Sequence, residues 1–371
     1  PRANLVFLID TSGSMAGPNR LPLVKQALDM LLDQLGPDDR VAIVTYAGNA
    51  GVALEPTPAS QKAKIRAVID RLGAYGSTAG GEGLRQAYAL AAQNFDAQGV
   101  NRVLLATDGD FNVGITDREE LKGFIERQRA KGIFLSVLGF GMGNYNDALM
   151  QTLAQNGNGT AAYIDTVSEA RKTLVEEASS TLFPIAKDVK IQVEFNPATV
   201  SEYRLVGYET RMLNREDFDN DKVDAGDVGS GQSVTALYEI VPVGGPRALG
   251  DLRYAAPTHA AASPNGGEYG FVKIRYKLPK SDTSRLIATP IRRASQAPRF
   301  EDAPRDARFA VSVATFAELL RGGRYSGGLT YDDVLRMAMA ARGEDPFGYR
   351  SEFVQLVRAA KTATTMERPE R

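Results

Sequence analysis

Up to about residue 183, runs of consecutive apolar residues alternate with stretches of helical periodicity. "LVFLID" (5–10), "RVAIVTYA" (40–47), "NRVLLATDG" (101–109), "GIFLSVLGFG" (132–141) and the shorter "TAAYID" (160–165) read as strands. Between them the apolar spacing predicts helices over 21–35, 60–72, 81–95, 118–131, 147–155 and 168–182. "GVALEP", from residue 51, reads as an edge strand. Continuously apolar strands have no face for water. Separated by helices, they fold as a mostly parallel sheet covered on both sides.

Near Phe183-Pro184 the period changes to two. "VKIQVEF", "YRLVGYE", "SVTALYEIV" and "YGFVKIRYK" alternate apolar and polar residues between Gly, Pro, Asn and Asp clusters, which predicts antiparallel strands in a β-sandwich-like region. From about residue 306 helices return. Phe309, Val313, Phe316 and Leu320 fall on one face. Thr330 reads as an N-cap before "YDDVLRMAMAA", Gly343 as a stop, and Asp345 as a cap with Pro346 at the first helical position. Phe353, Leu356, Val357 and Ala360 form a last apolar face. The expected division is an α/β domain over 1–183, a β-rich domain over 184–300 and a helical segment over 301–371, without an internal repeat.

Composition narrows the chemistry. A net charge of -1 over 371 residues is a poor electrostatic match for nucleic acid. Cysteine is absent and His259 is the one histidine, so thiol nucleophiles, disulfides and cysteine zinc sites are excluded within these residues. No run approaches the roughly 20 apolar residues of a membrane span, and no signal peptide is visible. The sequence starts at Pro1, only a few residues before a core strand, and reads as a fragment or processed form.

In open parallel sheets, sites gather outside the carboxyl ends of the strands. Asp10, Ser12 and Ser14 follow the first strand in "DTSGSM", and Asp108 ends another in "LLATDGD". Thr78 lies in the Gly-rich loop "YGSTAGGEG", which leads into a helix. Two carboxylates and three hydroxyls are all hard oxygen donors, a set that suits Mg²⁺ or Mn²⁺ and also admits Ca²⁺. Gly13 is expected to permit the tight turn that brings both serine hydroxyls to one side. The two aspartates balance a dication's charge, and an open coordination position would accept a partner's carboxylate.

The set "DTSGSM", Thr78 and "TDG", in that order, resembles the metal-ion-dependent adhesion site (MIDAS) of von Willebrand factor type A (VWA) domains. The resemblance covers about residues 3–183 and implies a Rossmann-like VWA domain. It implies that Ser12, Ser14 and Thr78 contact the metal through hydroxyls, with Asp10 and Asp108 binding directly or through water. "FPIAKDVKIQVEFNPATVSEYRLVGYETRML" and "DPFGYRSEFVQLVRAAK" resemble the C-terminal region of bacterial YfbK-type proteins, predicted envelope lipoproteins. Together the resemblances imply a non-enzymatic, metal-dependent protein-binding module of the bacterial cell envelope. Its partner would offer an Asp or Glu carboxylate, and any membrane attachment would be through an anchor outside this chain. The alternatives are a metal-dependent hydrolase such as a phosphatase and a scaffold with a purely structural metal.

Other features carry less. Asp110 could support the site from behind, or be a solvated turn carboxylate. Glu82 is either a rim acid or a complement to a helix N-terminus. "GFGMGN" has Asn144 where a dinucleotide fingerprint needs glycine. "DFDNDKVDAGDV" offers Asp217, Asp219 and Asp221, but Lys222 and Val228 replace the glycine and glutamate of an EF-hand. Asn158-Gly159-Thr160 is a glycosylation sequon in a chain that looks bacterial.

Overall fold

The computed structural model describes residues 1–76, 80–109, 118–141, 146–176, 183–207, 212–221, 223, 225–246 and 267–366. The chain divides into two compact units. The first comprises Pro1–Val189, Ala225–Gln232 and Lys277–Asp282, and the second the remainder.

The first unit is built on a six-stranded sheet of order β3-β2-β1-β4-β5-β6. Its strands are β1 (Ala3–Asp10), β2 (Arg40–Tyr46), β3 (Ala50–Pro58), β4 (Val100–Thr107), β5 (Ile133–Phe140) and β6 (Ala161–Ile164). All pairings are parallel except that of the edge strand β3 with β2. Every residue of β1 and β4 is buried, the polar Asn4, Asp10, Asn101, Arg102 and Thr107 included. Leu5, Phe7 and Ile9 join one core cluster, Val6 and Leu8 the other, as a period of two dictates.

The first cluster takes in helix α1 (Leu21–Gln34) and helix α2 (Lys62–Arg71). The second takes in α3 (Gly80–Gln93), α4 (Arg118–Ala130) and α5 (Asp147–Asn156). This is the mostly parallel sheet, covered on both sides, that the apolar pattern predicts, in the Rossmann-like arrangement that the resemblance implies. The last predicted helix, 168–182, is observed as α6 (Val167–Arg171) continuing into a π-helical turn at Lys172–Glu176. Its remainder lies outside the described residues.

Among its described residues the β-rich region forms two sheets, one of order β12-β11-β7-β9 and one pairing β10 with β8. The strands are β7 (Pro184–Phe195), β8 (Val200–Val206), β9 (Gly226–Gly229), β10 (Leu237–Pro242), β11 (Glu268–Lys277) and β12 (Ser284–Arg292). Phe195 of β7 packs its ring against Tyr203 and Tyr238 of the two-stranded sheet, at 4.7 and 5.2 Å. The first residues of β7 pair antiparallel with β9, inside the first unit. Strands β9 and β12 were not legible beforehand: β9 is Gly-Asp-Val-Gly, and β12 is an exposed edge strand with Pro290 near its end.

Among the described residues the second unit ends in three helices: α7 (Arg305–Leu320), α8 (Tyr331–Ala341) and α9 (Tyr349–Met366). Thr330 caps α8, as read from sequence, and the structure adds a reciprocal box with Asp333. Asp345 accepts hydrogen bonds from the Arg350 and Ser351 amides at 3.2 and 2.8 Å. It therefore caps α9, but the helix begins at Tyr349 and Pro346 sits in the preceding turn rather than at the first helical position. The predicted apolar faces are only partly covered. Phe309 and Phe316 stack edge-on against Phe353, whereas Val313, Leu320 and Leu356 are exposed. Polar residues take the covered positions of α7 instead. Glu318 is buried because Arg204 pairs with it at 3.1 Å, and the same guanidinium reaches Glu239 and stacks over Tyr325.

Candidate metal centre

Chain order places a topological switch at the centre of the first sheet. From β1 the chain moves outward through β2 to β3, then returns to lay β4 on the other side of β1. The loops after β1 and β4 therefore diverge and leave a crevice between them. Asp10 is the last residue of β1 and Asp108 follows the last residue of β4. The parallel register sets Ile9 opposite Ala106, so Asp10 meets Thr107.

Asp10 is fully buried, and Ser12 and Asp108 are nearly so. The Asp10 carboxylate accepts the Ser12 amide at 2.8 Å and faces the Thr107 hydroxyl at 3.5 Å. Ser12 Oγ and Ser14 Oγ lie 3.0 Å apart, and Ser14 is open to solvent. Thr107 Oγ1 also accepts the Gly109 amide at 3.2 Å. The loop is pinned from below: Thr11 donates through its amide and hydroxyl to the Tyr46 carbonyl, and the Tyr75 amide donates to Thr11. The Gly13 amide donates to the Gly76 carbonyl at 3.0 Å.

The glycine expectation needs correction. Gly13 does not take a positive φ, and a Cβ there would meet only the Gly76 carbonyl at an ordinary 3.5 Å. What turns the two hydroxyls together is the short 3₁₀ turn Gly13–Ala16, closed by the Met15 amide on the Ser12 carbonyl. Glycine is required instead at Gly83 on α3, where a Cβ would sit 2.9 Å from Tyr46 Cβ and 3.1 Å from Leu8 Cδ1. Its absence lets the first turn of α3 pack close on β1 and β2.

Burial holds the Asp10 carboxyl above the ordinary carboxylate range. The Ser12 hydrogen bonds oppose that shift and the neighbouring Asp108 charge adds to it. Burial, then the Asp10 charge, push the Tyr46 phenol well above its usual value. A pair of carboxylates in a dry crevice is uncomfortable alone, and a cation relieves both burdens at once.

Four of the five residues predicted for the metal, Asp10, Ser12, Ser14 and Asp108, thus lie at or just beyond the carboxyl ends of β1 and β4. Thr78 lies outside the described residues, as do Asp110, Asn144 and His259. Glu82 is exposed in the first turn of α3, where it complements the helix N-terminus. Three neighbours were missed. Thr107 and Tyr46 are apparent only through the register, which sets Tyr46 opposite Asp10. Arg20 pairs with Asp108 at 3.2 Å. Its one sequence signal was its place six residues after Ser14, just before α1.

The donor set fits a hard divalent cation: two anionic oxygens balance its charge, neutral hydroxyls complete it, and no nitrogen or sulfur is offered. Among the described residues no three His, Cys, Asp or Glu form a group that could hold a metal. The acidic loop is filled differently. Arg275 pairs with Asp219 and Asp221, and Lys190 donates to the Asp217 and Asn220 carbonyls, so protein cations occupy the loop. The Asn158 amide donates to Asp227 at 3.1 Å and is engaged within the fold.

Known proteins align with both halves. The family described as von Willebrand factor type A domain matches residues 4–177, and that described as "Uncharacterized protein YfbK, C-terminal" matches 180–363. "Uncharacterized protein YfbK" of Escherichia coli K12 is 46% identical over 364 residues, covering 98% of this chain and 62% of its own length. "Uncharacterized protein sll0103" of Synechocystis is 27% identical over 320 residues, covering 85% of this chain and 71% of its own. This chain thus spans under two thirds of the Escherichia coli relative. A solved structure, "von Willebrand factor type A from Catenulispora acidiphila", superposes with a TM-score of 0.51 at 16% identity, over 96% of this chain and 82% of that one. It supports the fold alone.

Proposed function

Since this chain belongs to the von Willebrand factor type A family through residues 4–177 and to the YfbK C-terminal family through residues 180–363, we propose that it binds a protein ligand through a divalent cation held at the β1–β4 crevice. A domain of the first family is a protein-interaction or adhesion module. The observation that carries the metal reading is the convergence of Asp10 and Asp108, both nearly devoid of solvent, with the Ser12 and Ser14 hydroxyls.

Asp10, Asp108, Ser12 and Ser14 would hold Mg²⁺ or Mn²⁺, with Ca²⁺ also compatible, and Thr78 would add its hydroxyl. When bound, the ion supplies a Lewis-acidic position that accepts a carboxylate oxygen. Ser14, exposed at the rim, marks the side from which a partner's Asp or Glu would approach. Binding rather than hydrolysis is favoured because Ser12 and Ser14 bond each other, and the Asp10 carboxylate that meets the Ser12 hydroxyl would itself be a metal ligand rather than a free base. The setting would be the bacterial cell envelope, by kinship with YfbK-type proteins, with any lipid anchor outside these residues.

Calorimetric titration of the chain with Mn²⁺ and Mg²⁺ tests the metal. One site per chain is expected, lost in Asp10→Ala. Affinity capture from native membranes, with and without EDTA and with wild type against Asp10→Ala, tests the partner. Capture that is indifferent to both EDTA and Asp10 would overturn metal-mediated binding and favour a scaffold.

A further inference from the structure

Arg20 brings a third charge to the crevice. Its Nη1 lies 3.2 Å from Asp108 Oδ2, with 23% of the Arg20 side chain and 3% of the Asp108 side chain exposed. The same nitrogen donates to the Ser14 carbonyl. The guanidinium thus bridges the loop after β1 and the residue after β4, both of which the metal reading uses. Its placement is built in. Arg20 is the N-cap residue of α1, with its amide on the Gly17 carbonyl and its carbonyl accepting from Val24. Its stem crosses Gly141 just after β5, where a Cβ would lie 2.6 Å from Arg20 Nε and 2.8 Å from Cγ. Gly141 has φ +89°, and its carbonyl accepts the Tyr163 hydroxyl, so the floor beneath the stem is itself held.

The charges then sum differently in two states. Without metal, Asp10 and Asp108 carry two negative charges against one guanidinium. With a dication bound, the carboxylates are neutralised and the guanidinium is a surplus positive charge in a poorly solvated crevice. An arginine in contact and a dication also compete for the same Asp108 oxygens. On the premise that the metal reading above holds, we propose that Arg20 is a built-in counter-cation for Asp108. It holds the metal-free site together, yields Asp108 when a divalent cation binds, and so lowers the metal affinity. A positive charge this near a carboxylate raises the cost of placing a second cation on it, by a repulsion that a poorly solvated crevice screens little.

Mn²⁺ titration of the full chain, comparing wild type, Arg20→Gln and Arg20→Lys, tests this. Arg20→Gln should bind about tenfold tighter, while Arg20→Lys, which keeps the charge, should stay near wild type. Equal or weaker binding by Arg20→Gln would overturn the proposal and leave the metal reading standing. So would Arg20→Lys binding as tightly as Arg20→Gln. Absence of binding in wild type and Arg20→Gln alike would overturn both. Unmodified protein gives a check that does not depend on a variant folding. Exchange of the Arg20 Nη hydrogens, followed by NMR, should accelerate on adding Mg²⁺, and unchanged exchange with Mg²⁺ bound would refute release.

Discussion

The two ends of the central sheet both carry buried polar residues, and they treat them in opposite ways. At the amino ends of β1 and β4, Asn4 donates to Asn101 at 3.0 Å and to the Ala91 carbonyl at 3.1 Å. Asn101 in turn accepts the Asp96 amide and donates to the Asp96 carbonyl. Asp39 takes the Ala3 and Gly36 amides, both at 2.7 Å. Each group is met by a neighbour of complementary sign, and the network closes on itself. At the carboxyl ends, two neighbouring acids are met by one guanidinium, Arg20 on Asp108, and two hydroxyls share one contact. Polar residues that satisfy one another hold a fold; polar residues of like sign that converge await something else.

Breaking the closed end should have the largest effect on stability. Asn101→Ala takes one of two partners from the buried Asn4 amide and the side-chain partner from the half-buried Asp96 amide. A polar group left without its partner costs about 1–3 kcal/mol, so a loss of about 2–3 kcal/mol is expected in denaturant unfolding. The melting response to Mg²⁺ should be unchanged. If Asn101→Ala also removed that response, the two ends would be coupled and the contrast would fail.

Breaking the open end should do the reverse. An ion that binds only the folded state stabilises it by about 2.7 kcal/mol at a hundredfold excess over its dissociation constant. For a domain of this size that raises Tm by very roughly 5–10 °C. Asp10→Asn keeps the carboxylate's shape and removes its charge. It should abolish this shift, yet leave the metal-free protein at least as stable as wild type, because a buried charge and its repulsion from Asp108 are both gone. A large loss of metal-free stability in Asp10→Asn would mark the aspartate as a structural group like Asn101.

The contrast also shows what the sequence could convey. Asp10, Ser12, Ser14 and Asp108 were legible because each follows directly on an apolar strand, and strand ends are fixed by the apolar pattern. Arg20, Tyr46 and Thr107 were not, because their roles depend on register and on the packing of α1 and β5, which periodicity does not specify. The closed network was equally hidden: Asn4 and Asn101 look like strand-edge polar residues until the register pairs them. In the second unit the exposed Val313, Leu320 and Leu356 show the same limit. A helical face can be read from spacing, but its covering depends on partners such as Arg204, which drew Glu318 inward instead.

pH separates the two ends more finely. Burial raises the folded-state pKa of Asp10 above its unfolded value. Below the unfolded value both states are protonated and Asp10 contributes nothing. As pH rises from there through the raised folded value, unfolded chains ionise first and the folded state loses stability. In EDTA, wild type should therefore lose stability relative to Asp10→Asn across that window. With saturating Mg²⁺ the sign should invert, because the ion binds the carboxylate and holds its folded pKa down. Melting curves of both proteins from pH 3 upward, with and without Mg²⁺, check both signs, and a flat difference in EDTA would remove Asp10 from the titrating set.

The smallest effects should come from the hydroxyls, where water is the competitor. Ser14 is exposed, so in Ser14→Ala a solvent molecule can take the vacated coordination position, and no buried group loses its partner. Metal-free stability should change by less than about 0.5 kcal/mol, as for most surface substitutions. Mn²⁺ affinity should fall by about threefold. Ser12 is 2% exposed, and water reaches its position less easily. Ser12→Ala should therefore weaken Mn²⁺ by about tenfold, equivalent to about 1.4 kcal/mol. Both variants should keep a metal response that Asp10→Asn lacks, since neither removes a charge. Calorimetric titration of the three side by side ranks them. If Ser14→Ala silenced the response as fully as Asp10→Asn, charge would not be what distinguishes the open end of the sheet. The geometry of the paired hydroxyls would then set the affinity.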